Sequence, residues 1–278
     1  MPTVALLGAA GKMGTRISNN LQKAPGYRVL YVEAAGVGEE RLRERGITAT
    51  PLDEAVSRAD IVVLAIPDIL IAKVAPEVVS QMRPGAMAMC LDPAAPYSGE
   101  LPERQDIAYF IVHPCHPSLV NDETDPEARR DFFGGVAARQ PIVCALMQGS
   151  EEDYARGEAL ARAMFAPVSR AHRITVDQMA LLEPAMAETM ALTLMMALRE
   201  GLDEVVQRGV PEAAARDFLL GHMGIFTGIL FGFYDAQVSD GARKAAARAR
   251  EQILQPDWKR IFEPGNVMRE IRAITRGE

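Results

Sequence analysis

The first half of the chain alternates short, unbroken apolar runs with longer segments whose apolar residues recur every three or four positions. Unbroken runs are typical of strands that are buried on both faces of a parallel sheet. They predict strands at residues 4–7, 27–32, 60–67, 86–91, 109–112 and 142–146. The periodic segments predict helices after Gly14 and at 52–57, 69–82 and 151–165. This alternation predicts an α/β Rossmann fold with a doubly wound parallel sheet.

The pattern changes near Ile174, after which only helical segments follow. Thr175 and Gln178 have the spacing of a capping box, which begins a long helix. We therefore predict two domains, an α/β domain at 1–173 and an all-α domain at 174–278. Residues 185–198 are apolar on nearly all helical faces, which predicts burial by other helices or by a partner subunit. The segment 242–250, rich in alanine and arginine, predicts a solvated helical face.

A further apolar stretch at 218–234 carries Gly224, Gly228 and Gly232 at four-residue spacing. Small residues at this spacing allow helices to pack closely. The stretch also contains His222 and is shorter than the roughly 20 residues that a membrane span needs. We therefore predict a helix buried between subunits rather than a transmembrane helix.

Composition narrows the class of protein. A length of 278 residues exceeds one average domain, and 49% hydrophobic with 24% charged residues is ordinary for a globular protein. The net charge of -7 argues against a nucleic-acid or anionic-membrane surface. Cys90, Cys115 and Cys144 are odd in number and widely spaced, which argues against a disulfide framework and for a reducing compartment. The first predicted strand begins too early to leave room for a signal peptide. We expect a cytoplasmic protein.

The first predicted strand leads directly into three glycines spaced by three. Glycine is needed at such positions where a Cβ would block a tight turn, the approach of backbone N–H groups to a pyrophosphate, or the packing of the next helix. The turn therefore predicts a dinucleotide site, formed by Gly8, Ala10, Gly11, Lys12, Met13 and Gly14. The alternative is a glycine-rich turn that binds nothing.

Glu33 ends the second predicted strand. Rossmann folds place at this point the acid that accepts hydrogen bonds from the adenosine ribose. A carboxylate there repels a 2′-phosphate, which favours NAD over NADP. The alternative is a solvated Glu33 with no ligand.

Polar residues follow three further predicted strands. Pro67 and Asp68, then Asp92, then His113 stand directly after apolar runs. Ligands of open parallel sheets bind beyond the carboxyl ends of the strands, so these residues are expected in one crevice with the glycine turn. We assign Pro67 and Asp68 to the coenzyme site.

His113, Cys115 and His116 lie in a segment that Pro114 and Pro117 stiffen. Two histidines three residues apart at a strand end suit a metal ligand or an acid–base group, with a structural role as the alternative. His113 lies closest to the strand end and is the first candidate. Cys115 is a third ligand, a nucleophile or a small packing residue.

Glu183 precedes Pro184 and falls on an apolar stripe of the long predicted helix. A carboxylate on such a stripe must be paired, metal-bound or protonated. The proline predicts a kink or break at Glu183; the alternative is an acid in the first turn of a helix that restarts at Pro184. Glu188 falls on another face of a regular α-helix, so both acids serve one site only if the helix is distorted.

The glycine turn, Ala65-Ile66-Pro67, His113-Pro114 and the all-helical second half together resemble the 6-phosphogluconate dehydrogenase-like superfamily. With Leu182-Glu183-Pro184-Ala185 and Glu188, the chain is similar to a narrower family, the NAD-dependent D-apionate oxidoisomerases, relatives of the phosphogluconate dehydrogenase C-terminal group. The resemblance spans the whole chain. It implies an NAD-binding Rossmann domain at 1–173 and, at 174–278, a helical domain that contributes to the substrate site and forms a homodimer.

The resemblance also implies a two-part reaction on a small polyhydroxy acid. A secondary alcohol beside a carboxylate is oxidised by hydride transfer to NAD, and the 2-oxo acid then undergoes a 1,2-alkyl shift, which converts D-apionate into 3-oxo-isoapionate. In such a shift a divalent metal ion polarises both oxygens. The helix around Glu183 lacks the lysine of ordinary hydroxyacid dehydrogenases, and a metal takes its place.

We accordingly assign His113 and Glu183 as metal ligands, and His116 and Glu188 to proton transfer or substrate binding. One imidazole and one carboxylate leave the identity of the ion open. Three other functions stay open at this point. They are a plain NAD-dependent hydroxyacid or sugar-acid dehydrogenase, a semialdehyde dehydrogenase with a Cys115 thiolate, and an NAD-sensing or scaffold protein.

Overall fold

The computed structural model describes residues 1–277 and divides into two compact units. The first unit contains Met1–Pro184 and the residues from Met268 onward, and the second contains Ala185–Val267. The sequence-based division at 173/174 differs from this boundary for two reasons. Met179 and Ala180, in the first turns of the long helix, are fully buried in the first unit. The C-terminal helix also ends there, where the Glu100 carboxylate accepts hydrogen bonds from Thr275 at 3.0 Å and Arg276 at 3.1 Å.

A seven-stranded sheet in the order β2-β1-β3-β4-β5-β6-β7 forms the centre of the first unit. Its strands are β1 Thr3–Leu7, β2 Arg28–Val32, β3 Ile61–Leu64, β4 Met87–Cys90, β5 Ala108–Pro114, β6 Gln140–Gln148 and β7 Val168–Arg173. Strands β1 to β5 are parallel, as predicted, with β1 between β2 and β3. Because the chain changes direction across the sheet at β1, the edge beyond β1 and β3 is the expected ligand crevice of a doubly wound fold.

The last two strands were not fully predicted. β6 pairs antiparallel with β5, and β7 pairs parallel with β6. An apolar run does not report strand direction, so the reversal of β6 was not visible in the sequence. β7 escaped prediction because it is an edge strand whose side chains are exposed or half-buried, which removes the apolar run.

Helices cover both faces of the sheet, and the apolar core divides into two buried clusters accordingly. The helices of this unit are α1 Lys12–Gln22, α2 Val37–Glu44, α3 Leu52–Arg58, α4 Asp68–Gln81, α5 Ala94–Tyr97 and α6 Glu151–Met164. The predicted helices correspond to α1, α3, α4 and α6 and end within a few residues of the observed bounds. The fold class predicted from the sequence is therefore confirmed.

A continuous helix runs over Val176–Gln207. It begins as α7 Val176–Ala180 with the predicted capping box, in which Gln178 N–H donates to Thr175 Oγ1 and Thr175 N–H donates to Gln178 Oε1. It continues as a π-helix over Leu181–Leu192 and ends as α8 Thr193–Gln207. The predicted break at Glu183 is wrong, because the helix continues through Pro184 in another hydrogen-bond register; the predicted kink stays a prediction. Pro184 lies inside the π-helical segment Leu181–Leu192, in which hydrogen bonds run from i to i+5.

The π register also changes which side chains line up along this helix. The expectation that Glu188 points away from Glu183 assumes 3.6 residues per turn. With bonds from i to i+5, residues five apart follow one another along the helix instead. Glu183 and Glu188 can lie on one side of the helix only if the helix departs from α geometry. The segment Leu181–Leu192, which contains both residues, departs from it in this way.

The second unit is helical, with α8, α9 Glu212–Leu230 and α10 Asp240–Ile253, and α11 Pro264–Arg276 leads out of it. Many apolar side chains of α8 and α9 remain exposed, including Met196 at 56%, Phe218 at 70% and Leu230 at 71%. The burial predicted for 185–198 and 218–234 is therefore not supplied within one chain. α10 has no buried residue, as predicted for a solvated helical face.

Within residues 1–277, one helix, Val176–Gln207, has the length and composition of a membrane span. One such helix is weak evidence, because apolar helices of globular proteins pass the same test. The stretch at 218–234 does not meet this criterion, and α9 ends at Leu230 before its last residues.

Candidate functional site

The carboxyl ends of β1, β3, β4 and β5 lie along one edge of the sheet. The glycine turn follows β1 there and fits closely against the end of β3. Gly8 has a φ of 75°, and a Cβ on it would lie 2.3 Å from the Ala65 carbonyl oxygen. A Cβ on Gly14 would lie 2.0 Å from the carbonyl oxygen of Gly8. Only glycine at these two positions allows β1, the turn and α1 to pack as they do.

The turn also presents a helix terminus suited to an anion. Gly11 is the N-cap of α1 and has no side chain to accept the N–H groups of the first turn. Those groups, with Lys12 as the first helical residue, face the place where a pyrophosphate binds in a Rossmann fold. The chemistry of the turn therefore fits a dinucleotide.

Glu33 lies at the end of β2, beside this turn. Its Oε2 accepts the Ala10 N–H at 2.7 Å and its Oε1 accepts the Ala34 N–H at 3.0 Å. A Cβ on Gly38 would lie 2.2 Å from Glu33 Cγ, so glycine at 38 makes room for the carboxylate. The sequence pattern indicates Glu33 but not Gly38, because the requirement for glycine at position 38 depends on a contact made only in the folded chain.

Asp92, His113 and Glu183 form a cluster at the same edge. One ligand atom from each of the three lies within 4.8 Å of the others, and all three side chains are half-buried. His113 Nε2 is 3.4 Å from Glu183 Oε2, and His113 Nδ1 is 3.7 Å from Asp92 Oδ2. The two ligands assigned from the sequence, His113 and Glu183, are thus neighbours in space. The sequence places Asp92 in the crevice but does not identify it as a metal ligand. The feature that indicates this role is its position directly after β4, the strand that pairs with β5.

The proton on His113 can be placed. Its Nδ1 lies 2.8 Å from the Leu91 carbonyl oxygen, and because a carbonyl only accepts, Nδ1 must donate. In the neutral ring Nε2 then carries a lone pair, which points towards the Glu183 carboxylate. Two acceptors that face one another require either a proton or a cation between them. A backbone carbonyl that fixes the tautomer of a histidine in this way is typical of metal ligands.

Asp68, at the start of α4, adds a further carboxyl to this edge. Burial, together with the charge of Asp92, raises the pKa of Asp68 to about 7, although the charge of His113 opposes the shift. Carboxylates held close together repel one another, and a bound cation would remove this repulsion. Asp68 was assigned to the coenzyme from sequence; its electrostatic surroundings connect it also with the cluster of Asp92 and His113.

Cys115 follows β5 close to the cluster. Desolvation and the charge of Glu183 raise the pKa of the Cys115 thiol. An enzyme that uses a cysteine nucleophile lowers this pKa instead, with a nearby cation or a helix N-terminus. The surroundings of Cys115 therefore favour a neutral thiol.

His116 has an unusual backbone. Its φ is 60°, and it is the one non-glycine residue with positive φ among residues 1–277. Such a conformation costs of order 1–3 kcal/mol and persists only where surrounding contacts impose it. His116 Nδ1 donates to the Phe133 carbonyl oxygen at 2.8 Å, so Nε2 of the neutral ring is free to accept a proton. The ring centroid of His116 lies 6.2 Å from that of His113.

Substitution of His116 by asparagine should separate stability from activity. Asparagine tolerates the left-handed backbone region well, so we expect the free energy of unfolding to change by less than about 0.5 kcal/mol. Because the imidazole is lost, kcat should fall roughly a hundredfold or more. Thermal unfolding and steady-state kinetics of the variant test this. A variant with wild-type kcat would remove His116 from the site.

Glu188 and Pro67 are the remaining residues assigned from the sequence. Glu188 belongs to the second unit, so its role in proton transfer or substrate binding stays a prediction. Pro67 is the exposed N-cap of α4, directly before Asp68.

Comparison with known proteins identifies relatives over the full length. The family model of the phosphogluconate dehydrogenase (decarboxylating) C-terminal part matches residues 121–275. A protein of Cupriavidus necator named D-apionate oxidoisomerase is 50% identical, over 98% of this chain and 99% of its own length. A protein of Rhizobium rhizogenes with the same name is 47% identical, over 99% of this chain and 100% of its own length.

A solved structure is similar over nearly the whole chain. It is a semialdehyde dehydrogenase NAD-binding protein from Cupriavidus necator, crystallised in complex with calcium and NAD. The two chains superpose with a TM-score of 0.96 at 49% identity, which covers 99% of this chain and 100% of the other.

Proposed function

Because this chain belongs to the D-apionate oxidoisomerase family, within the phosphogluconate dehydrogenase C-terminal group, we propose that it oxidises a sugar acid with NAD and rearranges its carbon skeleton. The substrate is D-apionate and the product 3-oxo-isoapionate. The observation that carries the proposal is the cluster of Asp92, His113 and Glu183 at the same sheet edge as the glycine turn. The similar structure from Cupriavidus necator, which holds both NAD and calcium, supports the pairing of a coenzyme with a cation.

The glycine turn is proposed to hold NAD. Gly8 and Gly14 leave the space, the first N–H groups of α1 bind the pyrophosphate, and Lys12 adds a positive charge beside it. Glu33 at the end of β2 accepts the ribose hydroxyls and excludes a 2′-phosphate by charge. When bound, the nicotinamide accepts a hydride from the substrate carbon.

Asp92, His113 and Glu183 are proposed to hold the divalent cation. Two carboxylates and one neutral imidazole form an anionic donor set that divalent ions favour, and the Leu91 carbonyl, which accepts the Nδ1–H of His113, leaves the lone pair of the neutral ring on Nε2. When bound, the cation acidifies the substrate alcohol and polarises the oxygens involved in the alkyl shift.

The remaining chemistry is proton transfer. The oxidation removes one proton from the substrate hydroxyl, and the shift moves one proton from the 3-hydroxyl to the former 2-oxo oxygen. His116 Nε2 has the lone pair to accept such a proton, because Nδ1 is occupied by the Phe133 carbonyl. We retain Glu188 as a second candidate for proton transfer or for binding the substrate hydroxyls.

Product analysis tests the proposal directly. The enzyme is incubated with D-apionate, NAD and a divalent ion, and the product is identified by NMR while NADH is followed by absorbance. We expect NADH and a rearranged carbon skeleton. A 2-oxo acid with the original skeleton would favour a plain sugar-acid dehydrogenase, and tight NAD binding without turnover of any sugar acid would favour an NAD-sensing protein.

A second candidate function comes from the name of the solved relative, a semialdehyde dehydrogenase NAD-binding protein. That chemistry requires a reactive cysteine thiolate, whereas the pKa of Cys115 is raised. We therefore expect Cys115→Ala to keep kcat within about threefold of wild type, since no step above uses the thiol. Loss of all turnover in this variant, with NADH binding intact, would favour the semialdehyde dehydrogenase instead.

The second unit is proposed to form a homodimer. Its α8 and α9 line an almost wholly apolar groove of about 690 Å³ that includes the exposed Phe218, and α8 also exposes Met196. An exposed apolar surface of this size favours association with another chain, because burial removes it from water. The free cysteines of the chain agree with a cytoplasmic location, where a dimer of this kind would form. Sedimentation equilibrium of the purified protein should give twice the mass of one chain.

A further inference from the structure

Phe133 lies in the loop between β5 and β6, against the first turns of α1. Lys12 Nζ lies 4.3 Å from the centroid of its ring, and the guanidinium carbon of Arg16 lies 4.1 Å from the same centroid. Lys12 and Arg16 are four residues apart and therefore share one face of α1. A single aromatic ring thus contacts both cations of the helix that begins at the glycine turn.

The backbone after Phe133 continues along the same face of α1. Arg16 Nε donates to the Gly134 carbonyl oxygen at 3.4 Å. Asn20, one further turn along, donates from Nδ2 to the Gly135 carbonyl oxygen at 3.1 Å. Residues 133–135 are therefore held lengthwise against α1 by three side chains at positions i, i+4 and i+8.

The loop that carries Phe133 has a defined conformation of its own. Asp131 Oδ1 accepts the Gly134 N–H at 2.9 Å, and Oδ2 accepts the N–H groups of Val136, Ala137 and Ala138 at 3.1, 2.9 and 3.2 Å. Gly134 has a φ of 78°, and a Cβ on it would lie 2.4 Å from Gln140 Oε1. Phe133 is therefore fixed by contacts on both sides of it in the sequence.

The same residue contacts His116. The Phe133 carbonyl accepts the His116 Nδ1–H at 2.8 Å, and the ring centroids of the two residues are 4.8 Å apart at an angle of 55°. These contacts hold His116 in its positive-φ conformation. Phe133 thus touches both the helix of the dinucleotide turn and the proposed proton acceptor.

We propose that Phe133 is a positioning residue that couples the coenzyme turn to His116. The inference rests on the proposed function and adds to it a role for a residue outside the glycine turn and the metal cluster. The Phe133 ring keeps Lys12 and Arg16 beside the first turn of α1, where their charges attract the pyrophosphate. The same ring and its carbonyl orient the imidazole of His116, so one side chain supports both coenzyme binding and proton transfer.

The test compares Phe133→Leu with Phe132→Leu and Phe133→Tyr. Phe132 is the adjacent residue and is 79% exposed, so its replacement removes the same atoms without these contacts. Tyrosine at 133 restores an aromatic ring. The readouts are the Kd of NADH without substrate, measured by NADH fluorescence, and kcat and KM for D-apionate at saturating NAD.

We expect Phe133→Leu to weaken NADH binding roughly tenfold, since two cation–π contacts are lost, and to lower kcat roughly tenfold with little change in KM for D-apionate. Phe132→Leu should match wild type, and Phe133→Tyr should recover both values to within about threefold. Phe133→Leu values equal to those of Phe132→Leu, or a change in only one of the two readouts, would overturn the coupling.

Arg16→Gln keeps the test decisive if the leucine variant is poorly folded. It removes one of the two cations and leaves the contact between Phe133 and His116 in place, so NADH should bind about three- to fivefold more weakly. An unchanged Kd for Arg16→Gln would contradict the inference. Failure of the wild-type enzyme to bind NADH at all would instead contradict the proposed function.

Discussion

Replacement of Glu183 by glutamine is expected to lower kcat for D-apionate roughly a thousandfold and to abolish binding of the divalent cation. Glutamine has the shape of glutamate but offers no charge to the cation opposite His113 Nε2, which lies 3.4 Å from the carboxylate. Loss of Lewis-acid stabilisation of several kcal/mol corresponds to a rate effect of about this size. Isothermal titration with Mn²⁺ and steady-state kinetics measure the two effects.

The same variant should not lose stability. Glu183 lies with Asp92 in a cluster of carboxylates, so removal of one charge relieves repulsion in the metal-free protein. We expect its metal-free melting temperature to equal or exceed that of wild type. Glu152→Gln, at an exposed position in the first turn of α6, is the matched control and should leave cation binding and kcat unchanged. Wild-type kcat in Glu183→Gln would remove Glu183 from the proposed site.

Replacement of Gly14 by alanine is expected to abolish NADH binding and to lower the free energy of unfolding. The new Cβ would lie 2.0 Å from the Gly8 carbonyl oxygen, a contact that only a shift of α1 relieves. Overpacking of this kind costs about 1–3 kcal/mol, and the displaced helix no longer presents its first N–H groups to the pyrophosphate. NADH fluorescence and chemical denaturation measure the two effects.

Gly26→Ala provides the control for this prediction. Apart from Gly26 itself and its two chain neighbours, no described residue has an atom within 4 Å of the position that a Cβ on Gly26 would occupy, and the φ of Gly26 is not positive. We expect a change in stability within about 0.5 kcal/mol and an unchanged Kd for NADH. NADH binding at wild-type affinity by Gly14→Ala would show that the coenzyme does not depend on this turn.

The local features of the fold could be predicted from the sequence. The glycine turn, the parallel strands β1 to β5 and the capping box at Thr175 each depend on residues close in the chain. Predicting that His113 and Glu183 are neighbours requires one further inference. The carboxyl ends of the strands must lie close to the first turns of the long helix. Polarity alone marked both residues, because an acid on an apolar stripe and a histidine at a strand end each need a partner.

Features that depend on distant contacts could not be predicted. The π register of Leu181–Leu192 leaves no trace in composition, because the same residues could form an α-helix. Phe133 lies in a loop without periodicity, and its contacts with Lys12 and His116 exist only after folding. Asp92 follows a strand like Asp68 does, and only the pairing of β4 with β5 shows which of the two lies beside His113.

We propose that NAD-dependent oxidation in this protein requires a cation held by Asp92, His113 and Glu183. The most direct measurement is the rate of NADH formation from D-apionate by enzyme stripped with a chelator and then titrated with a divalent ion. We predict no NADH from the stripped wild-type enzyme, full recovery at one ion per chain, and no recovery in Glu183→Gln. Undiminished NADH formation by the stripped enzyme would show that the oxidation needs no bound cation.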